Sequence, residues 1–191
     1  MRNNDTKQRL LEVTRQMIDK HGVDAVNMRD LGKEINLSRS AIYRHFRDKE
    51  DLLAAIVAEN FESLNQSIID LITEIKDVRE LVYSILQTYY RYGIQNQAHY
   101  HLMFSKQYDK KSHTELYLLA SQSFRAIEQH LSKTDNQTYK TKKSSKESTA
   151  LMFAFIHGLV DLNASGHFEA EKGMDDADRL IQSFVDLIFY F

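Results

Sequence analysis

The chain has 191 residues, enough for one large or two small domains. It has no cysteine, which excludes disulfides and thiolate metal sites, and no proline, the residue that most often interrupts helices. The charged N-terminus lacks the apolar stretch of a signal peptide, and the longest apolar run, near residues 151–160, is too short to span a bilayer, so we expect a cytoplasmic protein with no membrane partner.

The charge is distributed unevenly. Residues 1–50 carry eleven Lys or Arg and eight Asp or Glu, a net charge of +3. The remaining residues carry fourteen against nineteen, a net charge of −5. A basic head on an acidic body indicates that only the head meets an anionic partner.

Apolar residues recur at helical spacing, and no segment shows sustained two-residue alternation, so the sequence predicts an all-α fold of about nine helices. The first helix covers about residues 4–20 and ends before Gly22. Asn27 caps a short second helix, Asn36 follows it as a left-handed turn residue, and Ser38 caps a third helix that extends to about residue 45.

The later helices are predicted from their caps and apolar spacing. They are a long helix 4 after Asp48, helix 5 from Asp77 to Gly93, helix 6 over about 97–106, helix 7 after a Ser112/Glu115 capping box, helix 8 after a Ser144/Glu147 capping box, and helix 9 over about 176–190. Residues 133–146 contain five lysines and no aliphatic residue, which predicts an exposed loop.

Helices 2 and 3 are short and joined by three residues, the sequence form of a helix-turn-helix, whose second helix enters the DNA major groove. On a helical wheel, Ile42 and Phe46 fall on the inner side, opposite Ser40 and Arg44. Arginine can bind guanine through two hydrogen bonds, and Lys49 can meet a phosphate. The alternative at this point is a solvated helix in an ordinary bundle.

The segment MRDLGKEINLSRSAIYRHFRDKEDLLAAI closely resembles the N-terminal signature of TetR-family transcriptional repressors, over roughly residues 8–57. The family often has Thr at position 27, Ala at 32, and Gly at 36 and 40. The resemblance implies a DNA-binding domain over 1–50 joined by the long helix 4 to an effector-binding and dimerisation domain over 51–191. It implies DNA contacts from Asn27, Ser38, Arg39, Ser40, Ala41, Tyr43, Arg44, His45 and Lys49.

The resemblance also implies a homodimer formed through helices 8 and 9, although both helices could instead be core of one chain. The candidate interface residues are Phe153, Leu159, Leu180, Phe184, Leu187, Ile188 and Phe191. The segment from Phe153 through His157-Gly158 resembles the W-x-x-x-H-G pattern of one class of TetR-like C-terminal domains, with Phe153 in place of tryptophan.

An effector pocket between the middle helices is the third implication of the resemblance. The candidate ligand-binding residues are Tyr89, Tyr92, Met103, Phe104, Phe124, Phe153 and His157, and the alternative for each is plain core packing. The predicted function is a repressor that binds a palindromic operator as a homodimer and is released by a small-molecule effector, without a cofactor.

Three other functions fit the sequence less well. A metal-responsive sensor could use His99, His101 or His167, but side chains two residues apart on a helix do not face each other. An enzyme is disfavoured because the chain has no phosphate loop, nucleophile elbow or His-Glu-x-x-His pattern. A protein-binding adaptor would more often expose apolar anchors than donors on helix 3.

Overall fold

The structure is a computed structural model that describes residues 2–105, 114–134 and 144–190, without the side chains of residues 2–4 and 190. Within these ranges the protein is all helical, as predicted, with nine α-helices. They are α1 (Arg2–His21), α2 (Met28–Glu34), α3 (Arg39–Tyr43), α4 (Lys49–Glu74), α5 (Val78–Gln95), α6 (Gln97–Phe104), α7 (Thr114–Thr134), α8 (Ser145–Ala164) and α9 (Ala177–Tyr190). In the same ranges, no helix has the length and apolar character needed to cross a membrane.

The predicted helix boundaries agree closely with these bounds. The Ser144/Glu147 capping box is present, with each backbone N–H donating to the other residue's side chain. Two short 3-10 helices, Val23–Ala25 and Ala170–Lys172, are not among the predicted elements. Ser112 and most of the predicted loop at 133–146 lie outside the described residues, and α7 continues to Thr134.

The chain divides into two compact units. One comprises Met1–Glu62 and Ala98–Tyr117, and the other comprises Ser63–Gln97 and Leu118–Phe191. The helices α4 and α7 each contribute to both units. Compactness reports packing rather than function, so the predicted functional division between residues 1–50 and 51–191 stays a prediction.

The first unit has an apolar core built from α1, α2, α3 and the start of α4. Its fully buried side chains include Leu10, Leu31, Ile42, Leu52 and Ile56. Because these residues come from four helices, the short α2 and α3 depend for their stability on burial against α1 and α4 rather than on their own length.

The turn between α2 and α3 has the left-handed residue that the sequence predicts. Asn36 has a φ of 56°. The Leu37 N–H donates to the Gly32 carbonyl at 2.9 Å, and the Asn36 N–H donates to the Lys33 carbonyl at 3.3 Å. These two bonds form a Schellman motif, which satisfies carbonyls at the end of α2 and sets the direction in which α3 begins.

Gly32 allows α2 and α3 to approach closely. A Cβ atom at this position would lie 2.9 Å from Ile42 Cδ1 and 3.0 Å from the Leu37 carbonyl oxygen. Both distances are shorter than ordinary van der Waals contact. The close approach of α2 and α3 therefore depends on the absence of a side chain at position 32, where the family often has alanine.

In the second unit, α5 packs against α8 and α9. A buried polar network lies between α4, α5 and α7 of this unit. Asn65 Nδ2 donates to the Leu119 carbonyl at 2.9 Å and to Gln122 Oε1 at 3.2 Å, and its Oδ1 accepts from the Ser123 hydroxyl. The Tyr89 hydroxyl bonds to Ser123, and burial raises the pKa of Tyr89 to about 12.

Candidate nucleic-acid interface

The segment from Ser38 to Phe46 has a buried and an exposed side. Ser38 Oγ accepts a hydrogen bond from the Ala41 N–H at 3.3 Å, which starts α3. Ile42 is 0% exposed and Phe46 is 3% exposed, so both anchor the segment in the core of the first unit. The inward direction predicted for these two residues is confirmed.

α3 ends at Tyr43, two residues earlier than predicted. The N–H groups of His45 and Phe46 both donate to the Ile42 carbonyl, at 2.9 Å and 3.1 Å, which tightens the last turn. Arg44 keeps helical backbone angles as the C-cap residue. Its side chain is exposed on the outer side even though it lies just beyond the helix.

The exposed side of this segment carries hydrogen-bond donors and positive charge. Arg39, Ser40, Tyr43 and Arg44 are exposed, and His45 is half-buried. The Arg39 guanidinium lies 5.4 Å from the centre of the Tyr43 ring, and the hydroxyls of Ser38 and Ser40 are 3.0 Å apart. A cation over an aromatic face is a weakly attractive contact at an exposed site, so Arg39 and Tyr43 favour each other's positions on this surface.

Three other predicted DNA contacts have side chains that are already engaged or buried. Asn27 accepts from the Arg29 N–H at 2.8 Å and so caps α2. Lys49 Nζ donates to the Asp24 carbonyl at 3.3 Å. Ala41 is buried within α3. The roles assigned to these residues in DNA binding stay predictions, as do those of the exposed residues.

Arg47 is an exposed cation beside this surface that is absent from the predicted contacts. Its backbone N–H and its guanidinium donate to the Asp51 carboxylate at 3.0 Å and 3.1 Å. This hydrogen bonding holds the pKa of Asp51 below its ordinary value. The i,i+4 spacing of an Arg and an Asp across the start of α4 was the sequence signal for this pair.

Four of the predicted ligand-binding residues form one aromatic cluster in the second unit. The Phe153 ring lies 5.4 Å from Tyr89, 5.2 Å from Phe124 and 5.8 Å from His157, measured between ring centres. Burial lowers the pKa of His157, so its imidazole is neutral at pH 7. The cluster is mainly apolar, with a buried tyrosine hydroxyl at one side.

The other three predicted ligand-binding residues are Tyr92, Met103 and Phe104. Tyr92 is half-buried on α5, and burial raises its pKa to about 12. Met103 and Phe104 belong to the first unit, where the Phe104 ring packs edge-on against Phe61 at 5.5 Å. The ligand-binding assignment of all seven residues stays a prediction.

The predicted dimer residues differ in exposure. Leu159 is buried, Phe153 belongs to the aromatic cluster, and Phe191 lies outside the described residues. Leu180, Phe184 and Ile188 are half-buried, whereas Leu187 is 57% exposed.

Further apolar residues on α8 remain accessible in the single chain. Leu151 and Leu162 are exposed, and the ring of Phe155 stacks on Phe184 of α9 with 4.0 Å between ring centres. These three α8 residues were missed by the sequence prediction. The apolar character of α8 all round the helix was the signal for them, because such a helix is normally covered on several sides.

The histidines considered for a metal site are placed differently from one another. His99 is buried, with its ring nitrogens 3.0 Å from Asn60 Nδ2 and 3.2 Å from an Asp19 carboxylate oxygen. His101 is exposed, and His167 lies 4.0 Å from Glu169. Across the part of the chain that the structure describes, no group of three or more His, Cys, Asp or Glu side chains is arranged to hold a metal ion.

Two short helices, a left-handed turn between them and a donor-bearing outer face define a helix-turn-helix DNA-binding protein. The sequence profile of bacterial regulatory proteins of the tetR family matches residues 10–56. That of the tetracyclin repressor-like C-terminal domain matches residues 82–188. The chain belongs to the TetR family of transcriptional regulators and is not an enzyme.

Curated relatives are also named as regulators. The uncharacterized HTH-type transcriptional regulator YobS of Bacillus subtilis is 22% identical over 167 residues, which cover 87% of this chain and 83% of that protein. An HTH-type transcriptional regulator of Staphylococcus aureus (strain USA300) is 28% identical over 91 residues, which cover 48% of this chain and 47% of that protein.

Solved structures share the fold across nearly the whole chain. A protein of unknown function from Rhodococcus sp. RHA1 has a TM-score of 0.82 at 20% identity, covering 96% of this chain and 93% of its own. The TetR-family regulator PfmR of Thermus thermophilus has a TM-score of 0.69 at 18% identity, covering 95% and 97%. The regulator FadR of Bacillus subtilis, solved in complex with stearoyl-CoA, has a TM-score of 0.74 at 13% identity, covering 95% and 97%.

Proposed function

We propose that this chain is a cytoplasmic repressor that binds a two-fold symmetric DNA operator as a homodimer and is released by a small-molecule effector. The observation that carries the proposal is the division of the segment from Ser38 to Phe46. Its apolar side chains Ile42 and Phe46 are in the core, while Arg39, Tyr43 and Arg44 are exposed, and the segment contains no Asp or Glu. This arrangement suits a surface that reads base edges and phosphates.

A dimer is supported by the apolar surface of α8 and α9. Leu151, Leu162 and Leu187 expose large side chains on two helices that contain few charges over the same stretch. A single helix-turn-helix makes few phosphate contacts, so useful specificity normally requires two heads on two half-sites. Pairing α8 and α9 with a second copy covers this surface and supplies the second head.

An effector site is supported by the aromatic cluster around Phe153. The rings of Tyr89, Phe124 and Phe153 provide an apolar surface, and the imidazole of His157 adds polar atoms that can orient a ligand. Stearoyl-CoA, the ligand in the complex of FadR from Bacillus subtilis, carries a long apolar acyl chain, which favours an effector with an apolar part. To act as an inducer, the effector must bind the conformation that releases DNA more tightly than the conformation that holds it.

DNA reading is tested by selecting operators from a random duplex library and then comparing variants on the selected site. Arg44→Ala should lose about 1–3 kcal/mol of discrimination at one base position in each half-site, because it removes a base-edge donor. Lys49→Ala should weaken binding to all sequences similarly and reduce the salt dependence, because it removes a phosphate contact.

Arg91→Ala is the matched control, since Arg91 is an exposed arginine on α5 in the other unit. It should leave both affinity and specificity unchanged. If Arg44→Ala selects the same operators with the same affinity as the parent chain, Arg44 does not read bases. If no operator is enriched by the parent chain at all, the proposal that it reads a specific site is wrong.

Dimerisation is tested by Leu187→Asp in analytical ultracentrifugation. Each copy contributes its own Leu187 to a two-fold interface, so the substitution places two carboxylates in an apolar contact. It should weaken the dimer roughly 100-fold or more. Leu118→Asp is the control, because Leu118 is a comparably exposed leucine (47%) on α7, outside α8 and α9. A parent chain that sediments as a monomer at micromolar concentration contradicts the dimer proposal.

A further inference from the structure

The first unit contains an open groove whose described lining shares only His45 with the predicted DNA contacts and no residue with the predicted effector site. Its walls come from α1, from the residues that follow α3, from the first half of α4 and from the start of α7, and its volume is about 490 Å³. This is within the range of pockets that hold small organic ligands. The groove has an acidic rim and an apolar floor, and the floor is formed by Leu11, Phe46, Ala54, Ala58 and Leu116.

The floor of the groove has space above it. Leu11, Phe46 and Leu116 are buried at its base. Ala54 and Ala58 are four residues apart on α4, so they lie on one side of the helix, and their small side chains leave the space open. A ligand with an apolar body of a few carbon atoms can therefore bury surface here without displacing a core side chain.

The rim of the groove is strongly acidic. Of the lining residues that the structure describes, Asp51, Glu59, Glu62 and Glu115 are acidic and Lys7 is the one lysine. Glu59 forms an ion pair with Arg15, and Asp51 forms one with Arg47, so these two carboxylates are already compensated.

Glu62 and Glu115 are exposed carboxylates on α4 and α7, on the same groove. Lys7 Nζ lies 5.8 Å from the centre of the Phe46 ring. Exposed carboxylates from two helices therefore line the groove beside its apolar floor.

We propose that this groove binds a small organic cation with an apolar body, of the quaternary or alkyl ammonium class. The apolar part would lie over Ala54 and Ala58, and the positive charge would lie between the carboxylates of Glu62 and Glu115. Since His45 and Phe46 also line the groove, an occupant would contact the residues that follow α3, the segment proposed to meet DNA. The site is in a different unit from the aromatic cluster around Phe153.

Three probes with the same alkyl chain and different head groups test the charge requirement: octyltrimethylammonium, 1-octanol and octyl sulfate. Binding to the full chain is measured by isothermal titration calorimetry at low salt. Octyltrimethylammonium should bind at least tenfold more tightly than 1-octanol, and octyl sulfate should not bind measurably. Equal binding of the cationic and neutral probes would overturn the proposal.

Substitutions test the location. The Glu62→Gln/Glu115→Gln variant should bind octyltrimethylammonium at least fivefold more weakly. Glu12→Gln/Glu74→Gln removes the same charge from exposed glutamates outside the groove lining and should bind within twofold of the parent chain. Ala58→Leu fills the groove while keeping good helix propensity and should abolish binding, with circular dichroism confirming an intact fold.

These experiments separate this site from the proposed effector site. If octyltrimethylammonium binds the aromatic cluster or a general apolar surface, the Ala58→Leu and Glu62→Gln/Glu115→Gln variants will bind it as the parent chain does, and the groove proposal is then refuted. Loss of DNA binding or of dimerisation in the earlier experiments leaves the calorimetric result unaffected, because the groove lies within one unit of one chain.

Discussion

The contact between Gly32 and Ile42 allows a test of how tightly the helix-turn-helix is packed. The Cβ atom of an alanine at position 32 would lie 2.9 Å from Ile42 Cδ1, the atom that Ile42→Val removes. The two substitutions are therefore predicted to be coupled. Each substitution alone should destabilise the first unit. In the double variant, the methyl group that Gly32→Ala adds occupies the space that Ile42→Val vacates, so the two losses of stability should partly cancel.

The expected magnitudes follow from the contacts. Gly32→Ala should cost about 1 kcal/mol, because overpacking of about 2 kcal/mol is partly offset by roughly 1 kcal/mol of helix propensity. Ile42→Val should cost about 1 kcal/mol, since Ile42 is fully buried. The double variant should be about 1–2 kcal/mol more stable than the sum of the single effects predicts. The remaining 3.0 Å approach to the Leu37 carbonyl limits this gain.

Urea denaturation of the four proteins, followed by circular dichroism, gives the coupling free energy. The control is Val26→Ala, because Val26 is buried in the same core cluster but would not contact a Cβ atom at position 32. The effects of Val26→Ala and Gly32→Ala on the free energy of unfolding should add within about 0.5 kcal/mol. If the Gly32→Ala and Ile42→Val effects are simply additive, α2 and α3 move apart to make room for the methyl group. The close contact between Gly32 and Ile42 then does not fix the distance between these helices.

Two further predictions concern the turn and the pH dependence. Because Asn36 has a φ of 56°, Asn36→Ala should destabilise the protein by about 1 kcal/mol in urea denaturation, and Asn36→Gly should not; equal effects would contradict a strained left-handed residue. Because burial lowers the pKa of His157 below its ordinary 6.5, the unfolded chain takes up a proton first as the pH falls, so stability should decrease below about pH 6.5. His157→Gln should reduce this decrease without removing it, since the pKa of His130 is also lowered, and an unchanged pH profile would show that His157 is not responsible.

The pairings predicted correctly from sequence are short-range ones. The turn at Asn36 satisfies the carbonyls of Gly32 and Lys33, four and three residues earlier. Ser38 caps a helix that begins one residue later, and Ser144 and Glu147 are one helical turn apart. Such contacts depend on backbone geometry over a few residues, so residue type and spacing are enough to identify them. The inward direction of Ile42 and Phe46 follows in the same way from helical periodicity.

Contacts between residues far apart in the chain were not predictable in this way. The stacking of Phe155 on Phe184, the ion pair between Arg79 and Asp186 and the cluster around Phe153 join helices separated by tens of residues. An aromatic residue at helical spacing has the same pattern whether it packs in a core or lines a site. Only the packed helices show which aromatic residues contact each other, because burial depends on which faces meet.

The sequence by itself therefore determined the helix-turn-helix, its caps, its turn and the division of its residues into inner and outer sides, because these depend on local geometry. The tertiary structure decided that Lys49 bonds to the Asp24 carbonyl, that Gly32 permits a close helix contact and that three helices and the residues after α3 line an open acidic groove beside Phe46. Each of these depends on distances between separate segments, and such distances are fixed only when the apolar faces pack together.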